Sequence, residues 1–226
     1  MAPSELALVV FDCDGTLVDS QRTIVECMNR AFAGAGQVPP GRGVVLATVG
    51  LPLEEAIATL LSAGDGNAVD EVVSRYRTIF FEMRSSPDFE EPLFEGAVDA
   101  LEALSEAGYL LGMATGKSRR GLVATLERQC LERFFLTMKT ADDGPGKPSP
   151  GILLDAMRDA GVLPSRTVVV GDTTFDIGMA VNAGARAIGV SWGYHPASEL
   201  REAGADAIVD SFHQLAGVVE QILGPA

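Results

Sequence analysis

Positive charge is what this chain has least of. Lysine and arginine together number 17 against 31 aspartates and glutamates, a formal net charge of −14 at pH 7. Lysine itself stands only at Lys117, Lys139 and Lys147. Nucleic-acid binding needs a basic face, so the balance argues against that function, and any essential lysine comes from a very short list. Cysteine is sparse too: Cys13, Cys27 and Cys130 are widely spaced, with no CxxC pair and no neighbouring histidine. That pattern points to neither a disulfide framework nor a zinc site, and a reducing cytosol is the default. No apolar run approaches the ~20 residues that span a bilayer. Residues 1–5, Met-Ala-Pro-Ser-Glu, lack a basic segment followed by an apolar one, so no signal peptide is expected. A soluble, cytoplasmic protein follows as the expectation, with no membrane partner and an oligomeric state that the sequence leaves open.

What the chain does have is a core. Hydrophobic residues make up 47% of its 226 positions, enough for one large domain or a domain carrying a smaller insert. The run Leu6-Ala7-Leu8-Val9-Val10-Phe11 reads as a short strand buried on both faces. Asp12-Cys13-Asp14-Gly15-Thr16 follows as the strand ends. Spacing of two puts both carboxylates on one side of the backbone, where like charges repel unless something positive lies between them. A hard divalent cation with oxygen ligands is the simplest such group.

Beyond this strand, Ile24, Cys27, Met28, Ala31 and Phe32 repeat at helical spacing, and Gly34 and Gly36 end that helix. Two more helices are predicted through Ala56–Leu61 and through Val69–Met83, with Val44-Val45-Leu46 a faint strand signal between them. Ser85-Ser86-Pro87 and Glu90-Glu91-Pro92 mark a boundary. Helix and apolar strand then alternate, with strands predicted at 109–114, 134–138, 167–170, 187–190 and 207–209. A helix through Ile152–Ala160 is expected to start with Ser149 as its cap and Pro150 in its first turn. Strand, crossover helix and strand define a parallel sheet covered on both faces. The fold class is therefore α/β, a doubly wound parallel sheet interrupted by an α-helical insertion. Its boundaries place residues 1–15 and 90–226 in the α/β core and 16–89 in the helical cap.

In an open parallel sheet, ligands sit outside the carboxyl ends of the strands. The first strand ends in Asp12 and Asp14, and the second in Thr115-Gly116-Lys117. Lys147 lies in the turn Gly144-Pro145-Gly146-Lys147-Pro148. The Val168-Val169-Val170 strand ends in Gly171-Asp172-Thr173-Thr174-Phe175-Asp176. Four acids, a hydroxyl and one or two lysines thus converge on one rim, a layout suited to magnesium-assisted attack on a phosphoryl group.

These segments together resemble the haloacid dehalogenase superfamily of phosphohydrolases, in the branch similar to phosphoglycolate phosphatase with a helical cap. The resemblance rests on residues 10–20, on Ala114-Thr115-Gly116, on Lys147-Pro148 and on Gly171-Asp172 with Asp176, and it covers nearly the whole chain. It implies a Rossmann-like core and a Mg²⁺-dependent phosphomonoester hydrolase acting on a small soluble metabolite such as phosphoglycolate. By the same resemblance Asp12 is the nucleophile that becomes an aspartyl-phosphate. Asp14 is general acid and then base, with its main-chain carbonyl on the metal. Asp172 ligates Mg²⁺, Asp176 holds it directly or through water, and Thr115, Gly116 and Lys147 bind phosphate. The family often has Asn where this chain has Gly116, so a backbone N–H there replaces a side-chain contact.

Taken singly, several of these residues have plainer readings. Thr115 can cap the helix after it, Lys147 can be a solvated turn lysine, and Asp176 can complement a helix N-terminus. Cys13 is expected to point away from the acids, Lys117 to sit at a helix start on the surface, and His195 to stabilise a loop. Within the family, the insertion is expected to close over the site. It contains no lysine or histidine, which disfavours phosphonoacetaldehyde hydrolase and β-phosphoglucomutase chemistry, and Asp14 disfavours a dehalogenase. Arg22 and Arg42 are the cap cations expected to meet a substrate carboxylate. A pyrophosphatase, a nucleotide or sugar-phosphate phosphatase, or a non-catalytic binding protein on the same fold are the alternatives.

Overall fold

The computed structural model describes residues 6–61 and 66–226. Residues 1–5, read above as carrying no leader, lie outside the described residues. The first apolar run becomes strand β1, Leu8–Phe11, with every residue buried. Val9 and Phe11 pack into one hydrophobic cluster and Leu8 and Val10 into another, so the two-residue period of the strand serves both faces. Each such side chain fully removed from water contributes about 1.5–3 kcal/mol before entropy is counted. Further strands are β2 (Leu110–Ala114), β3 (Thr137–Lys139), β4 (Thr167–Gly171), β5 (Arg186–Val190) and β6 (Ala207–Val209). They form one parallel sheet in the order β3-β2-β1-β4-β5-β6.

The helices α1 (Gln21–Gly34), α2 (Arg42–Leu46), α3 (Leu53–Leu60) and α4 (Gly66–Arg84) belong to the insertion. They enclose a separate cluster that includes Met28, Phe32, Val45, Ile57 and Val72. The chain leaves and re-enters the α/β unit through two segments that pair with each other. Asp19 N donates to Pro92 O at 2.8 Å and Phe94 N to Leu17 O at 3.0 Å. Leu17 and Val18 pack in the cluster on the sheet. In the core, α5 (Ala97–Glu106), α6 (Arg119–Gln129) and α10 (Leu215–Leu223) cover the Val9–Phe11 face. The opposite face is covered by α7 (Gly151–Ala160), α8 (Thr174–Ala183) and α9 (Ala197–Glu202). Among the described residues, no helix is long and apolar enough to cross a membrane.

Three local expectations are corrected. Val44-Val45-Leu46 is helical: Val45 is fully buried while Val44 is 59% exposed. The one-sided burial suits a helix whose N–H groups bond back within the turn, as Val45 N does to Gly41 O. Phe134 closes a short 3₁₀ turn, and pairing with β2 begins only where Leu136 N reaches Leu111 O at 2.8 Å. Helix α7 starts at Gly151 with Pro150 as its flanking residue, and no side chain caps it.

Strand order places the topological switch between β1 and β4. From β1 the chain builds outward through β2 and β3, then returns to β1's other side and builds outward through β4, β5 and β6. Neighbouring crossovers therefore diverge there and leave a crevice at the carboxyl ends. Phe11 stands opposite Val170, and Asp12 N donates to Val170 O at 3.0 Å. That register brings the residues after both strands together at the crevice.

Candidate active site

Lys147 is the centre of the site. Its side chain is fully buried, with Nζ 2.8 Å from Asp12 Oδ1 and 2.5 Å from Asp176 Oδ1. Burial by itself would lower the ammonium's pKa, but Asp12 and Asp176 outweigh it and hold the group above its ordinary value. A turn lysine in solvent is thereby excluded.

Each carboxylate around it is fixed differently. Asp176 lies at the third position of α8, and its Oδ2 accepts from Thr173 N at 3.0 Å and Thr173 Oγ1 at 2.7 Å. Thr173 Oγ1 in turn accepts from Asp176 N, which makes a capping box. The plain helix-start reading of Asp176 is thus correct and incomplete, because the other oxygen faces Lys147. Asp172 accepts from Thr16 Oγ1 at 2.8 Å through Oδ1 and from Tyr194 N at 2.9 Å through Oδ2. Gly15 makes room for it: with φ +83°, a Cβ there would lie 2.3 Å from Asp172 Oδ2. The Asp12 contact with Lys147 is an ion pair without hydrogen-bond geometry, so Oδ1 has no donor directed at it.

Asp12, Asp172 and Asp176 are all buried, and one carboxylate oxygen from each lies within 4.8 Å of the others. Burial raises the Asp12 pKa most, Lys147 opposes it and Asp176 adds to it, leaving the group at about 6. Asp172 is raised well above the carboxylate range by burial, then by Asp176 and Asp12. Three carboxylates and one ammonium leave two negative charges in excess when all are ionised, which is the charge of one divalent cation. The donors are oxygens only, which fits Mg²⁺ and excludes a thiolate-type metal site.

A second lysine cluster borders the first. Asp14 turns away from Asp12: its Oδ1 accepts from Ser20 Oγ at 2.5 Å and from Lys117 Nζ at 2.5 Å. Ser20 Oγ lies 3.1 Å from the Tyr194 hydroxyl. Lys117 also reaches Glu91 Oε1 at 3.5 Å, and Glu91 Oε2 accepts from Thr125 Oγ1 at 3.1 Å on α6. Against burial, Asp14 and Glu91 hold the Lys117 ammonium well above its ordinary pKa. The repulsion expected between Asp12 and Asp14 is thus met by two separate lysines. The Asp14 carboxylate stands outside the three-acid cluster, and the metal contact expected of Asp14 is through its main-chain carbonyl.

Thr115 follows β2, and its N–H donates to Lys139 O at 3.0 Å. It does not cap α6; Ser118 does, accepting from Gly121 N at 3.2 Å. Thr115 and Gly116 line the same cavity as Asp12 and Asp14. A Cβ at Gly116 would lie 2.9 Å from Gly50 O and 3.1 Å from Leu51 O. An insertion loop rests where a side chain would be, which gives a physical reason for glycine at this departure from the family pattern.

The structure does not bring Arg22 or Arg42 to the cavity. Arg22 is exposed, and Arg42 is exposed with Nη2 donating to Gln21 Oε1. Because residues 42–46 are helical, Val45 turns inward instead. The surface position expected of Lys117 is corrected: its side chain is 8% exposed and pairs with Asp14 and with Glu91, a residue the sequence reading did not single out. Lys117 was one of three lysines in the chain, a signal that was applied to Lys147 and not to it. Glu91 lies in the boundary segment and is recognisable only through its contact with α6. Cys13 is buried in the sheet cluster, away from the acids. His195 Nδ1 accepts from Thr174 N at 3.2 Å, and its ring meets Phe175 edge-on at 5.6 Å, the bracing role expected of it.

Sheet order, crevice and buried acids together define a hydrolase core with a helical insertion, and residues 9–190 match the haloacid dehalogenase-like hydrolase family. The chain belongs to that family. Among curated proteins it is 37% identical over 218 residues to "Probable phosphatase IndB" of Dickeya dadantii, covering 96% of this chain and 94% of that one. It is 31% identical to the phosphoglycolate phosphatase of Agrobacterium fabrum, covering 92% and 90%. Among solved structures, a haloacid dehalogenase-like hydrolase from Bacteroides fragilis superposes with a TM-score of 0.85 at 26% identity, covering 93% and 100%.

Proposed function

We propose that this protein is a Mg²⁺-dependent phosphomonoesterase that transfers the phosphoryl group of a small metabolite to Asp12 and then to water. The observation that carries the reading is the trio Asp12, Asp172 and Asp176, gathered within 4.8 Å beside buried Lys147. Asp12 and Asp172 would hold the ion directly. Asp176 would hold it directly or through water. When bound, Mg²⁺ supplies charge neutralisation between the attacking carboxylate and the phosphoryl oxygens.

The chain's own residues do the rest. Asp12 Oδ1, free of any directed donor, forms the bond to phosphorus as the bond to the leaving oxygen breaks. Thr115, the Gly116 N–H and Lys147 bind the phosphoryl oxygens, fixed positive charge that is in place before the transition state develops. Asp14 delivers its proton to the leaving oxygen. It then takes one from the water that cleaves the acyl-phosphate, releasing inorganic phosphate and restoring Asp12. Lys117 and Ser20 hold Asp14 in place for both steps.

Curated relatives named for phosphoglycolate support a monoester of small size. The two arginines expected to read a glycolate carboxylate lie outside the cavity, so the particular ester is a separate question. A panel of phosphate esters assayed with Mg²⁺ and with EDTA tests the class. Turnover should require the metal and vanish in Asp12→Asn. Metal-independent hydrolysis, or no turnover of any ester, would contradict it.

A further inference from the structure

The cavity above Asp12 and Asp14 encloses about 630 Å³, within the range of pockets that bury a ring-bearing small molecule. Its core side is polar, with Asp12, Asp14, Thr115, Gly116 and Lys117. The insertion side is mostly apolar, with Ile24, Met28, Val45, Val49, Tyr76 and Phe80, and carries Glu54, Arg77 and Arg84 beside them. Tyr76 and Phe80, one turn apart on α4, lie nearly parallel, with ring centroids 5.9 Å apart and planes 17° apart. Lys117 Nζ and Arg84 Cζ each lie 5.8 Å from the Phe80 centroid.

Most cations along this wall are already engaged, and Arg120 packs over the Phe81 ring with its Cζ 4.7 Å from the centroid. Lys117 pairs with Asp14, and Arg77 with Glu54 at 2.5 Å. Arg84 Nη1 donates to Gly121 O at 2.9 Å. A two-carbon acid on the phosphate site would leave the aromatic wall facing water. A ring would cover it with apolar and aromatic contact.

We infer that the substrate is the phosphate monoester of an alcohol carrying an aromatic or heteroaromatic ring, the ring packing against Tyr76 and Phe80. This rests on the phosphatase reading above and supplies its leaving group. The phosphorus–oxygen bond to the ring-bearing alcohol breaks, its electron pair stays on that oxygen, and Asp14 provides the proton.

Benzyl phosphate, 2-naphthylmethyl phosphate, hexyl phosphate, ethyl phosphate and phosphoglycolate all release an alkyl oxygen, so comparing them reads the pocket more than intrinsic reactivity. With Mg²⁺ present, kcat/KM for the two ring esters should exceed that for ethyl phosphate by about tenfold or more, chiefly through KM. Phe80→Ala should remove the preference and Phe80→Tyr should keep it. Ring esters no better than ethyl phosphate, hexyl phosphate as good as benzyl phosphate, or phosphoglycolate preferred over all would each overturn the assignment. If no ester and no acetyl phosphate is turned over, the phosphatase reading fails on its own. Calorimetry with wild-type protein then decides the ring site: benzylphosphonate should bind about tenfold tighter than methylphosphonate, and equal affinities would overturn it.

Discussion

Two buried lysines border the crevice, and each is surrounded by carboxylates, yet their balances differ. Lys147 pairs with Asp12 and Asp176, Asp172 joins those two with one oxygen of each acid within 4.8 Å of the others, and the Asp12 oxygen facing Lys147 lacks a directed donor. Lys117 serves two, Asp14 and Glu91, whose oxygens are also taken by Ser20 and Thr125. The first group carries a surplus of negative charge and an open oxygen; the second is nearly closed on itself. Residue types alone would not separate them. The number of acids gathered beside each lysine, three against two, makes one a cation and phosphoryl site and the other a holder of a single proton-transfer group.

Substitution at Asp12 should break the comparison most sharply. Asp12→Asn removes the attacking oxygen and should lower kcat by about 10⁴-fold or more, with the fold retained in circular dichroism. In single-turnover phosphorylation of Asp12, Asp14→Asn should cost about 10²–10⁴-fold with alkyl esters and much less with acetyl phosphate, whose leaving group needs no proton. Equal losses on both substrates would remove Asp14 from acid catalysis.

Stability should follow the same asymmetry. Lys147→Met takes the ammonium from buried Asp12 and Asp176 and should cost about 3–5 kcal/mol in urea unfolding. Lys117→Met leaves Asp14 and Glu91 their hydroxyl donors and should cost about 1–3 kcal/mol. A larger loss at Lys117 would reverse the ranking of the two clusters.

The titration of Asp12 sharpens the metal half. Its pKa is about 6 in the metal-free fold against 3.8 ordinarily, so between those values the folded chain holds a proton that the unfolded chain has lost. Metal-free stability from this group is therefore complete below about pH 4 and declines as pH rises through 6. Mg²⁺ needs the carboxylate, so its affinity should fall about tenfold per unit below pH 6. Calorimetry at pH 7.5 and pH 5 reads the change, and a pH-independent affinity would count against Asp12 as a ligand. The smallest effect is expected at Gly116→Asn, where the added side chain displaces residues 50–51. A several-fold rise in KM is expected there, and an unchanged KM would mean the loop contact is incidental.

Much of this was legible in the sequence because of where the chemistry sits. Asp12, Thr115 and Asp172 each follow an apolar strand, and a parallel sheet brings such positions together whatever the helices do. The strands themselves showed as runs buried on both faces, clearest for β1 and β4 at the centre. Local signals failed where tertiary context decides. Val45 is β-branched, but only one side of its segment meets the α1 and α4 core, so the segment is a helix. Phe134 and Phe135 look like strand residues, but they close a turn before the edge strand begins. Glu91 and Lys117 meet only because the segment closing the insertion returns beside α6, a contact at a sequence separation that no spacing rule reports. Arg42 looked available for substrate because it lies in a glycine-rich stretch, and its helix directs it to Gln21 instead.

The most direct test of the charge-surplus account is covalent trapping. The protein is mixed with radiolabelled acetyl phosphate and Mg²⁺, quenched in acid and digested. Label should appear on the peptide carrying Asp12, require Mg²⁺, and be absent from Asp12→Asn. Label on another residue, or on Asp12 with EDTA in place of the metal, would contradict it.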